Sequence, residues 1–126
     1  MNVKMLHTCI RVVDLEKSIK FYKDTLGLEI TREKDHLNEG FKLVYLSDSL
    51  KSFELELTYN VGAESYVIGN GYSHLALGVD DLEENHQHFK DMGHEVSAIK
   101  GLTKESSKFF FIKDPDGYLI EIIKNK

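Results

Sequence analysis

The chain contains one pattern written twice, and an internal repeat restricts the possible folds more than any composition can. His7-Thr-Cys-Ile-Arg-Val-Val-Asp14-Leu15-Glu16 lines up with His74-Leu-Ala-Leu-Gly-Val-Asp-Asp81-Leu82-Glu83 at an offset of 67. Lys23-Asp24 then matches Lys90-Asp91, and Gly27 matches Gly93 after the loss of one residue. The copies also end alike: Phe53-Glu54-Leu55-Glu56-Leu57 lies over Tyr118-Leu119-Ile120-Glu121-Ile122 at an offset of 65. Each copy therefore carries one histidine and one glutamate at matching places. If the copies pack with approximate twofold symmetry, His7, Glu56, His74 and Glu121 converge as two His/Glu pairs. Two imidazoles with two carboxylates are a metal-ligand set.

A chain of 126 residues builds one compact unit, or two half-domains around a shared core. A net charge of -5 and the lack of a dense Lys/Arg run argue against nucleic acid as the main partner. No apolar run reaches the length of a membrane span, and the N-terminus carries no signal-peptide pattern, so a cytoplasmic protein is expected. Cys9 is the single cysteine, which leaves no intrachain disulfide and no cysteine-based zinc site.

Local patterning predicts the same element order in each copy. A strand over 5–12 precedes a helix capped by Asp14 and running to about Leu26. Its apolar face is Leu15, Ile19, Tyr22 and Leu26, and Gly27 is a fitting stop. A short strand 28–31, a polar loop 32–40, and a hairpin of 42–46 with 53–59 complete the first copy. Residues 61–72 join it to the second: strand 73–79, helix 81–92, strand 94–98, loop 99–107, strand 108–113, turn Asp114-Pro115-Asp116-Gly117 and strand 118–124. The expectation is an α+β protein of two tandem βαβββ modules, 1–60 and 73–126, with helices outside a curved mixed sheet.

Alternation along strands decides which side chains share a face. His7, Cys9 and Arg11 share one face of the first strand. In the strand 53–59, Glu54, Glu56, Thr58 and Asn60 point away from the apolar Phe53, Leu55, Leu57 and Tyr59. Glu121 lies between Leu119 and Ile123 on its own face, where a buried carboxylate is costly unless something compensates the charge. A single strand glutamate or histidine is ordinarily a solvated or satisfied polar residue. It is the symmetric recurrence of all four that favours the metal reading.

These residues carry a family resemblance. Met5-Leu6-His7-Thr8, Asp14-Leu15 with Ser18-Ile19 and Phe21-Tyr22, Leu26-Gly27, Glu56-Leu57-Thr58-Tyr59-Asn60, Gly71-Tyr72-Ser73-His74-Leu75-Ala76-Leu77 and Asp114-Pro115-Asp116-Gly117-Tyr118 with Ile120-Glu121 cover nearly the whole chain. In them the chain resembles the glyoxalase I (lactoylglutathione lyase) family of the vicinal-oxygen-chelate superfamily, built from paired βαβββ modules. The resemblance implies His7, Glu56, His74 and Glu121 as metal ligands. The histidine at the first ligand position and the short chain look like the bacterial nickel/cobalt-type branch. Four protein ligands would close a tetrahedral zinc site, whereas a six-coordinate Ni²⁺ or Co²⁺ keeps open positions; Zn²⁺ and Mn²⁺ stay open as alternatives.

The implied reaction isomerises the hemithioacetal of methylglyoxal and glutathione to S-lactoylglutathione, a detoxification of methylglyoxal. A proton must move from C1 to C2, and Glu121 is the base expected to carry it, with Glu56, its repeat partner, as the second catalytic carboxylate serving the other face of the substrate. Arg11 and Asn60 resemble the family's glutathione-binding positions, and Lys104 or Lys108 is placed to meet a substrate carboxylate. Arg11 corresponds to Gly78, so the second copy is expected to leave room where the first has a cation. His86 and His88 on the second helix are read as packing or surface residues, as are His36 and His94, and Cys9 as a small near-core residue. The family also implies a homodimer, with each site built across the interface by modules of two chains or, in a variant arrangement, by the modules of one chain. Competing readings are an acyl-CoA epimerase or thiol transferase of the same superfamily, an extradiol dioxygenase, or a metal-free drug-binding module of this fold.

Overall fold

The structure, a computed structural model, describes residues 1–103 and 108–125. It divides into two compact units, Met1–Val67 and Ile68–Lys126, and the boundary falls inside the segment 61–72. Each unit is a βαβββ module with a four-stranded mixed sheet of its own.

In the first unit β1 (His7–Val12) leads into α1 (Leu15–Lys20), followed by β2 (Glu29–His36), β3 (Phe41–Ser47) and β4 (Glu54–Asn60). The sheet order is β1-β4-β3-β2. β1 runs parallel to β4, while β3 is antiparallel to both β4 and β2. Asp14 caps α1 by accepting a 3.1 Å hydrogen bond from the Lys17 N–H, as its position before the apolar run predicts. The helix then widens into a π-helical turn over Phe21–Thr25. The buried face differs from the one the spacing predicts. Ser18, Phe21 and Tyr22 face the core, while Leu15, Ile19 and Leu26 are half-buried at its margins. On the sheet side, Val12, Val44, Leu46 and Leu57 are fully buried, each contributing about 1.5–3 kcal/mol by removing apolar surface from water.

The second unit repeats the plan with β5 (Leu75–Val79), α2 (Leu82–Asp91), β6 (Lys100–Gly101), β7 (Lys108–Lys113) and β8 (Leu119–Lys124), in sheet order β5-β8-β7-β6. Asp81 caps α2 by accepting from the Glu84 N–H at 2.9 Å. Leu82 and Phe89 face the core, against a layer that includes Phe110, Ile112, Ile120 and Ile122. In the turn between β7 and β8 the buried Asp114 carboxylate accepts from the Asp116 and Tyr118 N–H groups, each at 2.9 Å. Gly117 sits there at φ +92°, a conformation glycine adopts without strain.

Two segments depart from the sequence reading. Residues 32–36, expected in a polar loop, extend β2 to His36, with Leu37–Glu39 forming a single 3-10 turn. β2 is an edge strand, charged on both faces, so it lacks the apolar alternation that would betray it; charged edges also discourage pairing with other chains. The strand expected over 94–98 shrinks to one bridge, Val96 to Ile112, and the short β6 lies beyond it. Ser97 explains the break. Its hydroxyl accepts the Phe111 N–H at 2.8 Å, in the place a ladder carbonyl would take. Its own carbonyl lies 2.8 Å from His86 Nε2.

Candidate active site

One face of each sheet packs against its helix, and the opposite face carries the repeated histidine and glutamate. In the first unit Ile10 and Val12 turn inward, leaving His7, Cys9 and Arg11 exposed on the other side of β1. Parallel pairing sets Cys9 beside Glu56, and His7 reaches Glu56 across the diagonal. His7 Nε2 is 3.6 Å from Glu56 Oε1. In the second unit Ala76 lies beside Glu121, and His74 Nε2 is 3.5 Å from Glu121 Oε1. Ser73 Oγ lies 2.8 Å from His74 Nδ1 and orients that ring.

The surroundings of the two carboxylates differ. Glu56 is only 8% exposed. Tyr45 Oη, opposite it on β3, donates to Oε1 at 2.6 Å, and Thr58 Oγ1 donates to Oε2 at 2.9 Å. Cys9 Sγ lies 3.1 Å from Thr58 Oγ1. Burial works to raise the Glu56 pKa, but hydrogen bonds from Cys9, Tyr45 and Thr58, with the His7 ring, outweigh it and hold the carboxyl below the ordinary value. The Tyr45 phenol is pushed up to about 12 by burial and by its bond to Glu56, so it stays a donor at neutral pH. The Arg32 guanidinium sits 3.8 Å above the Tyr45 ring, within cation–π reach. It grips Glu54 through two hydrogen bonds of 3.1 and 3.2 Å, and Thr31 adds a third to the same carboxylate. Around Glu121 the matching places hold Phe111, Ile123 and Ala76, none of which has a polar side chain.

The other sequence candidates are placed as follows. Arg11 lies exposed beside Thr58 on the His7 face. Asn60 Nδ2 donates to Tyr66 Oη at 3.2 Å. Lys108 starts β7 opposite Gly101 and, by alternation, shares the face of Phe110 and Ile112 rather than that of Phe111. Lys104 lies outside the described residues. The room expected at Gly78 is filled: a Cβ there would stand 1.9 Å from Asn125 Oδ1, because Asn125 folds over Gly78 and donates to Asp80 at 2.9 Å. His86 is engaged by Ser97 O and packs edge-on to Phe110. Tyr45, Arg32 and Glu54 were not singled out from sequence. The signal available for Tyr45 was its alternation with Val44 and Leu46, which puts it on the Glu56 face.

The donor set suits a cation. Two donors each about 2.1 Å from one ion stand ~3.0 to 3.4 Å apart at octahedral or tetrahedral angles, and the two pairs stand at 3.6 and 3.5 Å. Among the described residues no three such donors cluster, so each unit by itself carries two donors rather than a full shell.

The glyoxalase/bleomycin resistance protein/dioxygenase superfamily model matches residues 4–122. The chain belongs to this superfamily. Within it, the chain is 40% identical to the lactoylglutathione lyase of Haemophilus influenzae, over 98% of this chain and 94% of that one. It is 39% identical to the lactoylglutathione lyase of Salmonella typhimurium over the same shares. Among solved members, the trypanothione-dependent glyoxalase I of Leishmania major superposes with a TM-score of 0.81 at 38% identity, over 98% of this chain and 87% of that one. Glyoxalase I from Zea mays gives 0.87 at 33% identity over 97% of this chain, which spans only 44% of the maize chain.

Proposed function

We propose that this superfamily member is a lactoylglutathione lyase that isomerises the methylglyoxal–glutathione hemithioacetal to S-lactoylglutathione. The observation that carries the reading is the His–Glu pair found once in each module, at 3.6 and 3.5 Å, in a chain that resembles such lyases along its whole length. His7, Glu56, His74 and Glu121 together are the proposed ligand set for a divalent metal, with Ni²⁺ or Co²⁺ preferred to Zn²⁺ or Mn²⁺. When bound, the cation supplies Lewis-acid stabilisation of the negative charge that builds on the substrate oxygens.

The side chains do the rest. Glu121 takes the proton from C1 and returns it to C2, because no hydroxyl at the matching places ties up its oxygens. Glu56, held on both oxygens, is a fixed ligand arm. Arg11 offers a guanidinium fork for a substrate carboxylate, and Asn60 a neighbouring amide on the same face. Of the two lysines, Lys104 or Lys108, expected to meet a further substrate carboxylate, Lys108 turns to the other face of β7, which leaves Lys104 as the proposed contact. The same reading includes a homodimer and a cytoplasmic setting. Among the described residues no helix is long and apolar enough to cross a membrane.

The test is thioester formation from the hemithioacetal by metal-stripped protein reloaded with Ni²⁺, Co²⁺, Zn²⁺ or Mn²⁺. Glutathione and trypanothione hemithioacetals are run side by side. Turnover with glutathione and Ni²⁺ or Co²⁺ supports the proposal. Turnover with trypanothione alone would change the thiol, and no turnover with any metal would remove the function.

A further inference from the structure

The two modules place an aromatic ring at the same point beside their histidine and glutamate, yet only one ring carries a hydroxyl. Tyr45 pairs with Glu56 across β3 and β4, and Phe111 pairs with Glu121 across β7 and β8. Each ring stands edge-on to the histidine of its own unit, with centroids 5.5 Å apart in both cases. The ring positions are thus duplicated and the chemistry is not. Tyr45 Oη donates to Glu56 Oε1 at 2.6 Å. Thr58 fills the other oxygen in the first unit, whereas Ile123 stands two residues beyond Glu121 in the second. The Tyr45 ring is itself held, with the Arg32 guanidinium on its face and His7 at its edge.

We infer that Tyr45 is a positioning residue that locks the Glu56 carboxylate as a rigid ligand arm, a lock that Phe111 at the matching place does not give Glu121. A carboxylate with a donor on each oxygen has one favoured rotation, so it presents the same lone pair to a cation each time. A carboxylate among apolar neighbours keeps its rotational freedom, which a group that must leave its histidine, collect a proton and return requires. The inference rests on the ligand set proposed above.

The experiment measures Ni²⁺ affinity of the full chain by calorimetry against a competing chelator, for the wild type, Tyr45→Phe and Phe111→Tyr. Apo-protein melting is recorded beside it. Tyr45→Phe is expected to weaken Ni²⁺ on the order of tenfold, out of proportion to any change in apo melting. A residue with a merely structural role would move the melting temperature and leave the affinity alone. Phe111→Tyr is expected to keep Ni²⁺ affinity at least at wild-type strength while kcat falls and KM holds. Affinity of Tyr45→Phe within twofold of wild type overturns the inference, as does a wild type that binds no Ni²⁺, or unchanged kcat in Phe111→Tyr. A wild type without turnover whose Ni²⁺ affinity still depends on Tyr45 would remove the lyase reading and keep Tyr45 as the residue that positions Glu56. Full turnover with a Tyr45-independent affinity would do the reverse.

Discussion

Tyr45 Oη and Glu56 Oε1 are joined by a 2.6 Å hydrogen bond that the second module cannot make, since Phe111 stands where Tyr45 would. The two carboxylates proposed as ligands are therefore not interchangeable. Glu121→Gln is expected to lower turnover by about 10²–10⁴-fold at saturating metal, the range for loss of a general base. Glu56→Gln is expected to act first on metal retention, weakening it by about 10–100-fold, with part of the turnover recovered at high metal. Steady-state kinetics across a metal titration separate the two. Equal recovery of both variants would contradict the division.

Chelation is expected to abolish activity, with restoration by Ni²⁺ or Co²⁺ and little by Zn²⁺. The reason is coordination number: two histidines and two glutamates satisfy tetrahedral zinc completely, while a six-coordinate ion keeps sites for substrate oxygens. Activity of reloaded protein, with metal content measured on the same samples, checks this. Zinc bound at one equivalent with full turnover would show that coordination number does not select the metal.

The pairing of His7 with Glu56 and of His74 with Glu121 was legible in the sequence because a strand alternates strictly and the repeat supplied the register twice. The Tyr45–Glu56 bond was less legible. It depends on which residues of β3 and β4 face each other, a cross-strand fact fixed by the hairpin at Asp48–Lys51. There the Asp48 carboxylate accepts from the Leu50 and Lys51 N–H groups. β2 was missed because hydrophobic periodicity is silent on an edge strand reading Glu-Ile-Thr-Arg-Glu-Lys-Asp-His. The strand at 94–98 was overread for the opposite reason. The repeated element order predicted a strand there, but Ser97 spends its hydroxyl on the Phe111 N–H and ends regular pairing. The fullness of the Gly78 site depends on Asn125, 47 residues away in the chain, and no local pattern announces it.

Glu54 gives a stability prediction with a definite sign. Hydrogen bonds from Arg32 first, and from Thr31, hold its pKa below the ordinary 4.5. A carboxyl depressed in the folded state binds protons more readily when unfolded. Its stabilisation is thus fully present above the unfolded value and is lost as the pH falls through the lower folded one. Glu54→Gln is expected to melt below the wild type at neutral pH, with the gap closing as the pH is taken below 4.5. Apo-protein melting between neutrality and the acid limit of reversibility measures it. A gap of constant size would mean that Glu54 acts through packing rather than charge.

Gly78 and Asn125 make a coupled pair. A methyl at Gly78 would lie 1.9 Å from Asn125 Oδ1, so Gly78→Ala must expel that side chain and break its bond to Asp80. The group displaced is the end of an exposed side chain and can swing into solvent, which limits the cost to about the net worth of a hydrogen bond, 0.5–1.5 kcal/mol. With Asn125→Ala already made, the clash and the bond are both gone. Alanine then brings only its smaller loss of backbone entropy on folding than glycine. Gly78→Ala is therefore expected to destabilise the wild type and to be neutral or stabilising in the Asn125→Ala background. A denaturant double-mutant cycle reads the coupling directly. Additive effects would show that Asn125 does not rest on Gly78 in solution, and that the space at Gly78 is open after all.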